Sequence, residues 1–218
     1  MTLPEFLKLA PRGDLWVFGY GSLMWSPGFR SSHKSAGKVH GYHRSLCIYS
    51  HRYRGTPRRP GLVMGLCRGG SCWGMVYRVA AARAVPVLEY LWRREMRNRV
   101  YRPSFVRVRI RGGRDIRALA FVADALHRQF AGDLDVAGTA KVVAQGVGER
   151  GSNIDYLSYT LAHMHELGVR DPHLDRILLA ALELRHKGNR AREKPSRPAP
   201  RRSSARAPRR AARAGSRS

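Results

Sequence analysis

The residues whose types and spacing could carry chemistry are Phe18-Gly-Tyr-Gly-Ser-Leu-Met-Trp25 and a glutamate far downstream, Glu95. A short apolar run, Leu15 to Phe18, breaks into Gly19-Tyr-Gly-Ser22, which reads as a buried strand running straight into a tight loop. Gly19 and Gly21 admit backbone angles closed to other residues and let a ligand approach the main chain. Successive loop amides and the Ser22 hydroxyl can converge on one oxygen that carries or develops negative charge. The spacing is not a phosphate loop, and it is not a dinucleotide fingerprint, because Met24 stands where the third glycine would. It is not a Gly-x-Ser-x-Gly elbow either, and no histidine pairs with Ser22 in a recognised order, which argues against a serine nucleophile. Taken locally, a structural turn is the simpler reading.

Any carboxylate that serves this loop must come from elsewhere. No Asp or Glu occurs between Asp14 and Glu89. Ala84, Leu88 and Leu91 recur at helical spacing over a helix expected at 81–96, and Glu95 continues that apolar stripe while Glu89 lies nearer its flank. A carboxylate on a buried face has its pKa raised toward the range useful to a general base. The alternative is an ion pair with Arg93, Arg94, Arg97 or Arg99, which would pull the pKa down. Periodicity alone leaves the two open.

The elements that must position these groups follow from the pattern along the chain. A short amphipathic helix is expected at 3–9, a core strand at 15–18, a polar loop at 26–37 and a second strand at 38–50. Strands at 62–67 and 72–79 flank Arg68-Gly-Gly-Ser71 and read as a hairpin; strands at 100–111 and 116–123 flank Gly112-Gly113. Helices are expected at 136–146, 153–167 and 172–185. The layout is α+β, a mixed α/β domain, and not a regular βαβ series.

Bulk properties narrow the class. A chain of 218 residues suits one domain with a core that needs no disulfide support. Cys47, Cys67 and Cys72 make neither a disulfide framework nor a zinc set, so no metal is expected. Their usage fits a reducing compartment, and no apolar run approaches the length of a membrane span, so a cytoplasmic protein is expected. The formal net charge is +26, from 41 Lys and Arg against 15 Asp and Glu. Residues 187–218 hold 12 of those cations and one acid, Glu193, in an Arg/Pro/Ala/Ser-rich stretch that is expected to be a disordered tail behind a single domain at 1–186. Contact of that tail with nucleic acid is the less favoured reading, since no nucleic-acid module is visible in the body, whereas a basic body suits a small anionic substrate. His163 and His165 are two apart on one helix and do not share a face, so they are read as ordinary residues.

Taken together, the motifs resemble the ChaC-like glutathione-specific gamma-glutamylcyclotransferases. The likeness runs from Phe18–Trp25 through Gly55-Thr-Pro57, Arg59-Pro-Gly61 and Cys72-Trp-Gly-Met-Val-Tyr77. It continues through Tyr90-Leu-Trp-Arg-Arg-Glu95 to the Gly148–Tyr156 segment with Asn153, and covers about 15 to 185. The resemblance implies a small mixed β-barrel with helices around it and a lyase reaction that needs no cofactor, metal or nucleotide. The α-amine of a γ-glutamyl group attacks its own γ-carbonyl, closing 5-oxoproline and releasing Cys-Gly when the substrate is glutathione. It implies Glu95 as the catalytic residue and a substrate held by Gly19, Tyr20, Gly21, Ser22 and Leu23, with Tyr101 and Tyr156 at the pocket. Other γ-glutamyl amides are the alternative substrates, and an inactive scaffold with a nucleic-acid-binding tail is the alternative of another class. The segments Trp92-Arg93-Arg94 and Met96-Arg97-Asn98-Arg99 depart from the animal members, which carry a Gly-rich run after the glutamate, and these departures bear on substrate range.

Overall fold

Five strands close on themselves because two of them are long enough, and bent enough, to wrap. Residues 1–193 are described in a computed structural model of the protein. β1 (Leu15–Gly19) is the apolar run ahead of the glycine loop. β2 (His33–Ser50) and β3 (Gly61–Val79) pair antiparallel along most of their length. β4 (Tyr101–Ile110) and β5 (Asp115–Ala123) form the hairpin expected around Gly112-Gly113. The order round the closed barrel is β1-β3-β2-β4-β5, and β5 completes it with parallel bridges Val17–Leu119 to β1 and Leu66–Val122 to β3.

The hairpin expected across Arg68-Gly-Gly-Ser71 does not form; residues 62–67 and 72–79 belong to one strand. Gly69 and Gly70 take positive φ, as does Gly41, and the β2–β3 register slips between His40 and Tyr42. Glycines that could reverse a lone chain here bulge a paired ribbon, which adds twist and bend instead of a turn. Pairing also overrides composition at the start of β2. Its first residues, His33 to Gly37, lie opposite Arg78 to Gly74 of β3, so part of the polar stretch expected as loop is strand.

The helices complete two cores. α1 (Leu3–Leu7) starts from a capping box in which Thr2 and Glu5 satisfy each other's backbone amides. After a 3-10 turn at Ala81–Arg83, α2 (Ala84–Glu95) buries Ala84, Val87, Leu88 and Leu91 in one cluster with Phe6, Leu15, Val17 and Phe121. Full burial of a leucine side chain contributes about 1.5–3 kcal/mol, so Leu88 and Leu91 firmly fix the helix that ends in Glu95. α3 (Val136–Gln145), α4 (Asn153–Glu166) and α5 (Pro172–Glu193) join the barrel interior through Ala140, Val143, Leu157, Leu161 and Ile177. A two-residue ladder, β6 (Val147–Gly148) with β7 (Gly151–Ser152), leads into α4. α5 runs past the boundary expected at 186, and the remainder of the basic tail, 194–218, lies outside the described residues.

Where the loop after β2 meets β3 and β6, glycine is required by close approach. A Cβ on Gly55 would stand 2.1 Å from the Gly61 nitrogen; on Gly61, 2.2 Å from the Arg54 carbonyl oxygen; on Gly148, 2.3 Å from the Arg52 carbonyl oxygen. Asn153 laces this junction from the start of α4. Fully buried, it accepts from the Leu62 amide at 2.5 Å and donates to the Leu62 carbonyl at 2.7 Å. Asn153→Ala leaves both backbone groups buried and unpaired, so it is expected to lower unfolding free energy by about 2–4 kcal/mol, measured by chemical denaturation.

Candidate active site

The strands leave one end of the barrel open. There β1, β2 and β5 finish while β3 and β4 begin. A cleft of about 680 Å³ occupies that end, and Tyr20, Gly21, Ser22, Leu23, Met64, Arg94, Glu95, Tyr101 and Tyr156 are among its lining residues. The glycine loop enters it as a 3-10 turn, Ser22–Met24, directly after β1. The first N–H groups of such a turn have no acceptor inside it, which leaves amides available at the cleft wall. Tyr77 fixes the far side of the turn, its hydroxyl within 2.8 Å of the Leu23 carbonyl and 2.7 Å of the Met24 carbonyl.

Both glycines serve close contact. Neither Gly19 nor Gly21 has positive φ. A Cβ on Gly19 would meet the Leu23 Cβ at 2.8 Å, and a Cβ on Gly21 would press on the Met64 Cβ at 3.2 Å and the Tyr156 hydroxyl at 3.3 Å. Gly21 lines the cleft, while Gly19 lies behind the turn and lines no part of it.

Glu95 ends α2, and the helix delivers it to the cleft opposite the turn's origin in sequence. Its side chain is 16% exposed and that of Arg94 14%. Arg94 donates through Nε to Glu95 Oε1 at 2.9 Å and through Nη2 to Ser22 Oγ at 3.0 Å. Its Nη1 donates to the Ser26 carbonyl at 2.6 Å and the Tyr90 hydroxyl at 2.9 Å. Both readings of Glu95 therefore hold at once: it is ion-paired, and it is withdrawn from water. Withdrawal prevails, and the Glu95 pKa lies above the ordinary carboxylate value although Arg94 pulls it down. Ser22 accepts from Arg94, which leaves its own proton free to donate.

With this geometry in place, similarity to known proteins decides the family. A model of the family described as "ChaC-like protein" matches residues 15–183. The chain belongs to the ChaC-like family. It is 32% identical over 172 residues to the glutathione-specific gamma-glutamylcyclotransferase of Escherichia coli (strain K12), covering 79% of this chain and 74% of that one. Against the enzyme of the same description from Schizosaccharomyces pombe it is 33% identical over 168 residues, covering 68% and 82%. The crystal structure of a yeast gamma-glutamyl cyclotransferase specific to glutathione superimposes with a TM-score of 0.74 at 23% identity, over 80% of this chain and 98% of that one, which establishes a shared fold.

The tyrosines of this ChaC-like cleft are tied to the barrel. The Tyr20 hydroxyl donates to the Phe121 carbonyl at 2.5 Å, and the Tyr101 hydroxyl to the Met64 carbonyl at 3.1 Å. The Tyr156 hydroxyl accepts from the Met64 amide at 3.1 Å, and its ring lies under the Arg54 guanidinium. Burial raises the pKa of all three, Tyr156 to about 12, so each stays a neutral phenol. Six further arginines line the cleft, Arg52, Arg54, Arg97, Arg99, Arg128 and Arg150, and among the described residues Glu95 is its one lining carboxylate. The sequence names Arg94, Arg97 and Arg99 as possible ion-pair partners of Glu95 but does not choose among them, because arginine is abundant throughout the chain. The available signal for Arg94 was its spacing four beyond Tyr90 and one before Glu95. Of the histidines, His163 bonds the Tyr159 carbonyl and sits beside Trp25, and His165 is 4.0 Å from Asp175.

A raised carboxyl pKa has a defined effect on stability. The folded state binds the Glu95 proton more tightly than the unfolded chain, so the cost of ionised Glu95 is absent below about pH 4.5 and fully present above the folded pKa. Glu95→Gln, which keeps the neutral form's shape, is expected to melt no lower than the unaltered protein at neutral pH. The difference should shrink as pH falls through that range, as read by thermal unfolding.

Proposed function

We propose that this cleft cyclises γ-glutamyl amides, with glutathione as the principal substrate, yielding 5-oxoproline and Cys-Gly. The observation that carries the reading is one glutamate, withdrawn from water yet held in position, sharing a cleft with the amides of a strand-to-turn loop. The names of the relatives and the family of the chain support it.

The chemistry follows from the groups present. Arg94 holds Glu95 Oε1, and among the described residues Oε2 has no hydrogen-bond partner. Oε2 takes the proton from the substrate's α-ammonium, and the freed amine attacks the γ-carbonyl carbon. Charge gathers on the carbonyl oxygen, where the Gly21–Leu23 amides supply donors fixed before the reaction begins. Glu95 then returns that proton to the departing amide nitrogen and the old C–N bond breaks; the proton still surplus on the ring nitrogen passes through Glu95 to the leaving amine, which departs as an ammonium and leaves 5-oxoproline neutral at its ring nitrogen. A pKa above the ordinary carboxylate value suits a group that must both take and give a proton. The Ser22 hydroxyl, oriented by Arg94, donates to the substrate's α-carboxylate. Because both reacting atoms belong to one molecule, holding the reactive rotamer contributes much of the acceleration. Tyr20, Tyr101 and Tyr156 wall the pocket as neutral phenols, and Gly19 supports the loop from behind. We place the reaction in the cytoplasm, since all three cysteines are free thiols. No described helix is long and apolar enough to cross a membrane.

Incubation with glutathione is expected to release 5-oxoproline and Cys-Gly, identified by mass spectrometry; no product from glutathione or any γ-glutamyl amino acid overturns the assignment. Glu95→Gln should fold and lose at least ~100-fold in kcat. Arg94→Met removes the influence that lowers the Glu95 pKa, so the acid limb of kcat/KM should move to higher pH.

A further inference from the structure

The cleft holds more positive charge than the reaction requires, and most of it is already engaged. Arg94 serves Glu95 and Ser22. Arg52 pairs with Glu149 at 2.7 Å. Arg54 donates to the Arg150 carbonyl and stacks on Tyr156, and Arg150 lies over the Tyr53 ring. Arg97, Arg99 and Arg128 differ. All three line the cleft, all three are exposed, and among the described residues none has an acceptor or an acidic partner.

Two structural facts set these three apart from ordinary surface arginines. Arg99 is the one residue other than glycine with positive φ among the described residues, at 54°. Glycine would adopt that conformation without steric conflict. Arg99 thus places a long cationic side chain where the backbone would suit glycine better. The second fact is that the segments bearing the three are joined. The Asp124 amide donates to the Val100 carbonyl at 2.9 Å, and the Tyr49 amide to the Gln129 carbonyl at 2.8 Å, so the loop carrying Arg128 is fixed beside the turn carrying Arg97 and Arg99. Asp124, the acid of that loop, is occupied by Arg102 at 2.9 Å.

We propose that Arg97, Arg99 and Arg128 form a subsite for the terminal carboxylate of the leaving peptide, so that the enzyme selects γ-glutamyl peptides ending in a free carboxylate over neutral γ-glutamyl amines. This rests on the cyclotransferase reading and specifies its substrate class. A γ-glutamyl peptide carries two carboxylates. The one beside the reacting amine meets the Ser22 loop, and the other leaves with the product and needs a cationic partner of its own. Guanidinium groups match a carboxylate in charge and in planar two-point geometry. Because the site lies at the rim, its effect falls on binding and not on the proton transfers at Glu95.

The test compares glutathione with its glycine ethyl ester, which removes only the distal charge, on the unaltered protein and on Arg99→Gly, Arg97→Gln, Arg128→Gln and Arg99→Lys. The unaltered protein should favour glutathione over the ester by about tenfold or more in kcat/KM. Arg99→Gly should raise KM for glutathione about tenfold with kcat within about threefold, so that the preference collapses. Arg97→Gln and Arg128→Gln should erode it in the same direction, and Arg99→Lys should restore part of it. Arg99→Gly should also melt no lower than the unaltered protein, because glycine suits the left-handed backbone. Equal kcat/KM for the two compounds on the unaltered protein overturns the subsite and leaves the cyclotransferase reading standing. A variant loss equal on both compounds, or a lowered melting temperature for Arg99→Gly with the preference intact, also overturns the subsite. No 5-oxoproline from either compound overturns both readings.

Discussion

One guanidinium joins the two halves of the candidate site. Arg94 reaches the catalytic candidate on its own helix, the hydroxyl at the start of the 3-10 turn, and the carbonyls that follow that turn. Nothing else described bonds Glu95 by its side chain, and the loop and the helix are separated by some 70 positions of chain. The distance between acid and amides is therefore set by a single planar group whose donors diverge at fixed angles. The three donors of a lysine radiate from one nitrogen and do not spread over partners as the guanidinium fork does. The leucines of α2 deliver Arg94 to this place, and the Tyr77 hydroxyl holds the turn that receives it.

The same residue resolves a tension in the electrostatics. Burial raises the pKa of a carboxylate, and an ion pair lowers it. Glu95 is largely withdrawn from water and bonded on one oxygen, and desolvation is the stronger of the two influences. Arg150 works in the same direction as Arg94 at longer range, and the other arginines of the lining add to the positive charge of the opening.

The sequence was most informative where one residue type was scarce. Glu95 stood out because the preceding stretch holds almost no acid and because it closes an apolar helical stripe, and the structure puts it beside the glycine loop. Arg94 was equally placed but lay hidden among neighbours of its own kind, where no spacing rule separates a bridging cation from a solvated one. The elements followed the same logic. The β4–β5 hairpin was legible because its glycine pair lies between two strands that pair with each other along their length. The glycine pair at 69–70 looked alike and was not, because its role depends on β2, whose Gly41 bulges opposite it. A local pattern cannot report which strand lies alongside. The sequence marks Gly19 and Gly21 as places of backbone freedom and ligand approach; the structure adds the bulk of Leu23, Met64 and Tyr156 against them, contacts that exist only in the folded chain.

The Tyr20 hydroxyl bonds the Phe121 carbonyl across a hundred and one positions of chain, and β1 meets β5 at Val17–Leu119. The lining of the cleft runs from Tyr20 to Tyr156 in the chain, so no fragment that ends before α4 carries the whole of it. Closures of this length are slow steps of folding, because loop entropy is lost before the contact is gained. Assembly of the cleft thus waits on barrel closure, and a chain that ends before β5 lacks both of these contacts.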